Sequence, residues 1–244
     1  MAILEARNLV KRFGAVAAAD GIAVAIEADS VVGLIGANGA GKTTFINMAT
    51  GYLKPDSGAI HYQGEDITGL APRAVTHRGI CRSFQIPQLF LSQTVHANLL
   101  VSAGIAARHN GARSGVEAVV ADALERFGLA SYRDKLAGVL PEGIRKLLDI
   151  AMALAARPKV LLLDEPTSGV SAEEKYGVMD TVMQAVRPQG VTVLFVEHDM
   201  DIVARYSGRV LAFYEGRIIA DGAPRTVLEN AEVREFVVGE HAAH

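Results

Sequence analysis

The chain has 244 residues, half of them apolar, enough to bury one large α/β core with room for a subdomain. Its 24 basic and 27 acidic side chains leave a net charge of −3, which offers no basic field to a DNA or RNA partner. The single cysteine, Cys81, cannot form an internal disulfide, in keeping with a reducing compartment and a small buried residue near a strand end. The opening stretch carries no signal-peptide pattern but alternates: residues 3–10 and 21–27 read as strands around a polar turn, KRFGAVAAAD. Phe13 sits in that turn, where an exposed aromatic either stacks on a purine face or caps the strand pair.

Residues 31–44, VVGLIGANGAGKTT, come next. The apolar run Val31, Val32, Leu34, Ile35 reads as a buried strand, followed by Gly36 to Thr43 and a helix from near Lys42 to Thr50. This is a phosphate-binding P-loop in its required setting, with a strand before it and a helix after it. Its glycines let backbone N–H groups approach phosphates closely, and the helix start adds donors and the positive end of a dipole. Lys42 is placed to reach β- and γ-phosphates, and the Thr43 hydroxyl to ligate Mg²⁺. The pattern implies binding of a nucleoside triphosphate.

Gly51 to Gly58 is a dense turn signal, followed by a strand at Ala59–Gln63, a short helix at Pro72–His77 and a strand at Ile80–Phe84 ending at Gln85. Over 86–156 strand patterns give way to helical periodicity. Helices are expected at Thr94–Ala107 and Val116–Phe127, with a loop at Arg108–Gly115 between them, and a third has one face marked by positions 144, 147, 148, 151, 154 and 155. The α/β pattern then resumes: strand Val160–Leu163, helix Ala172–Val186, strand Val191–Val196, a hairpin of Arg209–Tyr214 and Arg217–Ala220 around Glu215-Gly216, and short helices near 225–229 and 232–238. The tail GEHAAH is expected to fray, and His241 with His244 makes at best a weak metal pair. The longest apolar runs, 99–107 and Val191–Val196, fall well short of a membrane span, so a membrane role is expected to be peripheral.

In open parallel sheets ligands sit beyond the carboxyl ends of strands, and here those ends carry chemistry. Asp164, after three leucines, is placed to hold Mg²⁺ or its water. Glu165 can orient and partly deprotonate an attacking water, although two acids after a strand also suit a solvated turn. His198 and Gln85, polar residues at strand ends, gain meaning as phosphate or metal contacts only beside the P-loop.

These elements, in this order, resemble the ATP-binding subunit of an ABC transporter over essentially the whole chain. The resemblance rests on GANGAGKTT, on SFQ ending in Gln85, on LPEGIRK at 140–146, on VLLLDEPTSG at 160–169 and on VEHD at 196–199. It implies a P-loop NTPase of the ABC ATPase fold, α/β, with a mostly parallel core sheet, an antiparallel β subdomain and an inserted helical subdomain. The chain is then one ATP-binding domain over 1–244, with a nucleotide-binding core at 1–85 and 157–244 and the helical subdomain at 86–156. Under the resemblance Phe13 stacks on adenine, and Asn38, Gly39, Ala40, Gly41, Lys42, Thr43 and Thr44 cradle the phosphates. Thr43, Gln85 and Asp164 serve Mg²⁺, and Gly143 offers a donor from the signature segment. Glu165 is the catalytic base, with His198 the switch histidine and Lys42 acting beside them. Two such domains clamp two ATP molecules head to tail, each P-loop facing the other domain's signature segment.

The signature segment departs from the family pattern Leu-Ser-Gly-Gly-Gln: here it is Leu140-Pro141-Glu142-Gly143-Ile144. The serine hydroxyl is gone, Pro141 has no N–H to replace it, and Glu142 brings negative charge toward an anion. Ser171 also stands where the family usually has aspartate. A weak composite site of this kind suits a heterodimer with a second, more regular ATP-binding subunit, a homodimer being the alternative. RSFQ, QLFLSQTVHANLLV and the FVVGE-like end resemble the uptake type for branched-chain amino acids, whose wider group also handles urea and amides. That type implies two transmembrane permease subunits, a solute-binding protein acting indirectly, no nucleic acid, and a peripheral place on the cytoplasmic face of the inner membrane. The alternatives are a lipopolysaccharide-export ATPase, a weakly hydrolysing nucleotide-binding regulator, and a soluble protein of the family acting on DNA or ribosomes. Ile86, Leu89 and Phe90 are expected either to dock on the membrane subunits or to close the subdomain core.

Overall fold

The structure, a computed structural model, describes residues 2–109 and 115–239. Part of the Arg108–Gly115 loop and the tail with His241 and His244 lie outside the described residues. Two compact units emerge, one formed by Met1–Thr76 with Thr192–His244 and the other by His77–Val191.

In the first unit β1 (Ala2–Phe13) and β2 (Val16–Glu27) form one long antiparallel hairpin. The stretch KRFGAVAAAD is therefore strand almost throughout, not the turn expected from sequence. Lys11 pairs with Ala19, Arg12 with Ala17 and Phe13 with Val16, which leaves only Gly14-Ala15 as the two-residue turn. Alanine has little β-propensity of its own, and cross-strand pairing overrides it here. β4 (Ser57–Tyr62) joins the other side of β1, and β5 (Glu65–Asp66) adds a two-residue edge. Between β2 and β4 in sequence come β3 (Val31–Gly36) and α1 (Lys42–Ala49), and α2 (Pro72–His77) falls on its predicted range.

The second unit begins its regular structure with β6 (Ile80–Arg82), shorter than expected; the Ser83 N–H still donates to the Leu162 carbonyl at 2.9 Å and the chain bends at residues 85–86. Its helices are α3 (Val95–His109), α4 (Val116–Arg126) and α5 (Glu142–Ala155), which pack on one another around Leu99, Phe127, Leu148 and Leu154. β7 (Val160–Asp164) runs parallel to β6 and is buried along its whole length. α6 (Lys175–Val186) starts three residues later than expected. The Ser171 hydroxyl accounts for the delay: it donates to Glu174 Oε2 at 2.9 Å and accepts from the Glu174 N–H at 3.3 Å, holding 171–174 in a turn. Cys81, in β6, is buried, and burial pushes its thiol up to about 12.

The first unit resumes with β8 (Thr192–Val196), α7 (Met200–Tyr206), β9 (Arg209–Tyr214), β10 (Arg217–Gly222), α8 (Pro224–Leu228) and α9 (Ala231–Val233). Here β10, β9, β3 and β8 lie side by side in that order, with β3 parallel to both β8 and β9. Phe45, Ile46, Phe195 and Phe213 are fully buried in this unit. No described helix is long and apolar enough to cross a membrane.

Candidate active site

The predicted site residues fall in both units, and each group has its own geometry. In the first unit β3 delivers the chain to Gly36, and α1 begins at Lys42 with Gly41 as its N-cap in the left-handed region. No side chain caps this helix, so its first-turn N–H groups face the loop as donors for an anion. Gly41 is fixed by close approach: a Cβ there would lie 2.6 Å from the Ala18 carbonyl oxygen, with φ at +109°. At Gly39, φ +82°, a Cβ would meet nothing within 4 Å, so that part of the loop borders open space. Lys42 is buried, and its Nζ donates to the carbonyls of Gly36 at 2.6 Å and Ala37 at 3.0 Å, which holds the ammonium inside the curve of the loop. Ala40 is buried, Thr44 half-buried, and Asn38 and Thr43 are exposed.

The β9–β10 turn supports this loop. Gly216 donates its N–H to the Ala40 carbonyl at 2.9 Å, its carbonyl accepts from the Asp20 N–H at 2.9 Å, and the Phe45 and Phe213 rings meet at 5.9 Å. Phe13 is 53% exposed at the hairpin tip, with the Lys11 ammonium 5.7 Å from its ring centre. It pairs with Val16, two residues from the Ala18 that abuts Gly41, so the aromatic belongs to the strand segment flanking the loop. His198 follows β8 and is exposed; its backbone N–H donates to Glu197 Oε2 at 3.3 Å. The next residue, Asp199, caps α7 by accepting from the N–H groups of Asp201 and Ile202. Because β8 is parallel to β3, His198 emerges at the same strand edge as the P-loop.

In the second unit the Gln85 amide donates to Glu165 Oε2 at 2.7 Å, joining two residues 80 apart in sequence. Glu165 follows β7 with φ at +49°, an uncommon conformation for a residue with a side chain. Asp164 is buried and paired with Arg82 at 2.5 Å. A role beside a metal therefore has to share this carboxylate with a guanidinium, a partner the sequence reading missed. Gly143 lies in the first turn of α5, whose N-cap, Pro141, provides no side-chain bond. Glu142 is ion-paired with Arg145 at 3.4 Å, one turn along. Ile86 is 75% exposed, Phe90 is exposed and Leu89 half-buried, so the first two do not close the core of their own unit.

Two further residues escaped the sequence reading. Lys146 and Asp149 are both buried on α5. The Lys146 ammonium donates to the carbonyls of Gln85 and Glu165, and Asp149 accepts the backbone N–H groups of Phe84 at 3.1 Å and Gln88 at 3.0 Å. Burial raises the Asp149 carboxyl above the usual aspartate value, with these N–H bonds and Lys146 pulling in the other direction. The readable signal was a Lys and an Asp, three apart, flanking and interrupting the apolar positions of this helix.

Among the described residues no cluster of three or more His, Cys, Asp or Glu could hold a metal by itself. The expected metal donors are, in the first unit, the exposed Thr43 and, in the second, the Gln85 amide and the Asp164 carboxylate shared with Arg82. Such a set fits Mg²⁺ arriving with a nucleotide whose phosphates supply other ligands, rather than a resident metal cage.

A strand, a P-loop with a lysine inside its curve and a helix start with available donors define a P-loop nucleotide-binding protein. Residues 19–168 match the ABC transporter family. The chain is 35% identical, over 98% of its length and of the relative's, to the high-affinity branched-chain amino acid transport ATP-binding protein BraF of Pseudomonas aeruginosa. It shows the same identity and coverage to the probable branched-chain amino acid transport ATP-binding protein LivG of Methanocaldococcus jannaschii. Among solved structures it matches the ADP conformation of an ATP-binding cassette of an ABC transporter, at TM-score 0.86 and 35% identity, over 98% of this chain and 100% of that one. The chain belongs to the ABC transporter family and is an ATP-binding, ATP-hydrolysing subunit of such a transporter. Subunits of this kind dimerise and pair with permease subunits.

Proposed function

We propose that this subunit powers uptake of a small solute, a branched-chain or related amino acid, as the names of its relatives indicate. The observation that carries the substrate class is full-length similarity to relatives named for that transport. The same similarity favours import over lipopolysaccharide export. The proposed assembly has two permeases, a second and different ATP-binding subunit and an indirectly acting solute-binding protein, with this chain peripheral at the cytoplasmic face of the membrane. Within the chain we assign 86–156 as the helical subdomain and 1–85 with 157–244 as the nucleotide-binding core.

In this reading the N–H groups of 38–44 and the Lys42 ammonium neutralise the triphosphate, while Phe13 stacks on the base. Thr43, Gln85 and Asp164 hold Mg²⁺ or its water; when bound, the ion screens charge developing on the phosphates. Glu165 orients the attacking water and accepts its proton, with Gln85 fixing one carboxylate oxygen. His198 hydrogen-bonds the γ-phosphate, and Gly143 presents a donor to the nucleotide of the opposite subunit.

Replacing Glu165 by Gln keeps the shape and removes the base. In the purified transport complex, ATP hydrolysis should fall at least about a hundredfold, within the range general-base catalysis supplies, with ATP binding retained. Persistent hydrolysis would overturn the assignment. Mass identification of the subunits that co-purify with the tagged chain tests the assembly, and an export apparatus in that fraction would overturn the import reading.

A further inference from the structure

A lysine in a helix core is expensive unless its charge is used, because an ammonium loses its hydration there. Lys146 is 2% exposed. Its ammonium is spent on two backbone oxygens, the Gln85 carbonyl and, at 3.2 Å, the Glu165 carbonyl. These residues also meet through their side chains at 2.7 Å. Three residues further along the same helix, the Asp149 carboxylate takes the N–H groups of Phe84 and Gln88, on either side of Gln85. Less than one turn of α5 therefore holds the backbone before, at and after Gln85, together with the backbone of Glu165.

Glu165 needs such support. Its φ of +49° costs a non-glycine residue free energy, and conformations of this kind persist where surrounding bonds over-determine them. The bond from Lys146 falls on the carbonyl of that same residue. If the backbone relaxed toward an ordinary conformation, the carboxylate would point elsewhere and the bond to the Gln85 amide would be lost. A catalytic carboxylate displaced by about 1 Å can lose on the order of a hundredfold in rate.

We infer that Lys146 is a positioning residue for ATP hydrolysis: its ammonium, bridging the Gln85 and Glu165 carbonyls, fixes the orientation in which Glu165 acts on water. The helix that carries Lys146 begins at the signature segment, Glu142 being its first residue. A shift of that segment along the helix axis thus moves the ammonium against both carbonyls and alters the aim of the base. This inference rests on the proposed role of Glu165.

Lys146→Met preserves the length of the stem and removes the donors. In the complete purified complex its kcat for ATP should fall about tenfold or more, with KM within about twofold of wild type, because the bonds it breaks involve no P-loop residue. Should the Met variant not fold, Lys146→Gln, which keeps one donor group, is expected to lose kcat a few-fold with the same unchanged KM. Unchanged kcat in the variant that folds, loss of ATP affinity in parallel with rate, or failure of both variants to fold would each overturn the inference. Glu165→Gln in the same preparation separates the two levels. If it is inactive while the Lys146 variants keep full kcat, only the inference falls; if it stays active, the role of the base falls and the inference with it.

Discussion

Two glycines of the P-loop look alike in sequence and differ in what surrounds them. At Gly41 an added Cβ collides with the Ala18 carbonyl at 2.6 Å, backbone that cannot swing aside, and φ +109° is hostile to any side chain. At Gly39 the space is open and only the backbone preference at φ +82° opposes a substitution. Gly41→Ala should therefore cost more stability than Gly39→Ala, which is expected to cost about 1–2 kcal/mol. Gly41→Ala should also abolish nucleotide binding, since the start of α1 must move with it. Melting curves with and without ATP check both statements; equal losses at the two positions would mean that the Ala18 contact does not constrain the loop. The sequence showed that glycines are needed here because the motif is local. It could not show which of them touches β2, since Ala18 and Gly41 meet only through tertiary structure.

At the scale of elements, most helices and strands were legible because their periodicity is strong, as in Val160–Asp164 and Pro72–His77. The hairpin tip was misread because its residues pair by register rather than by propensity, and α7 was passed over although Asp199 is a good N-cap. Of the candidate site, the residues in local motifs were legible. The partners that hold them were not: Arg82 on Asp164, Gly216 on Ala40 and Lys146 on Glu165 are all contacts between elements. α5 gives the clearest case and a pH test. The Asp149 carboxyl is raised by burial above the usual aspartate value, so on acidification the folded chain takes up this proton before the unfolded chain does. Between the usual carboxylate range and the raised value, this group adds stability as pH falls and loses it as pH rises through the raised value. The melting temperature of wild type minus that of Asp149→Asn should therefore increase as pH is lowered through the window. A decrease would mean that the bonds from Phe84 and Gln88 outweigh burial.

At the scale of the whole assembly, the start of α5 bears on what this chain dimerises with. An anion approaching a helix N-terminus gains from donors worth about half a positive charge, and a carboxylate in the first turn opposes it. Here that carboxylate is Glu142, only partly balanced by Arg145 at 3.4 Å, and Pro141 provides no side-chain cap. If this chain formed the functional dimer alone, both composite sites would contain this segment. Removing the carboxylate charge in Glu142→Gln would then relieve repulsion on the order of 1 kcal/mol and raise hydrolysis several-fold. If instead it pairs with a second, regular ATP-binding subunit, hydrolysis runs mainly at the site formed by this chain's P-loop and the partner's signature segment. The substitution then touches only the weaker site. We expect the second result: hydrolysis by the purified complex within about twofold of wild type after Glu142→Gln, and equal amounts of two different ATP-binding subunits by intact-complex mass. A several-fold rise together with two copies of this chain would establish a homodimer and assign Glu142 as a brake on both of its sites.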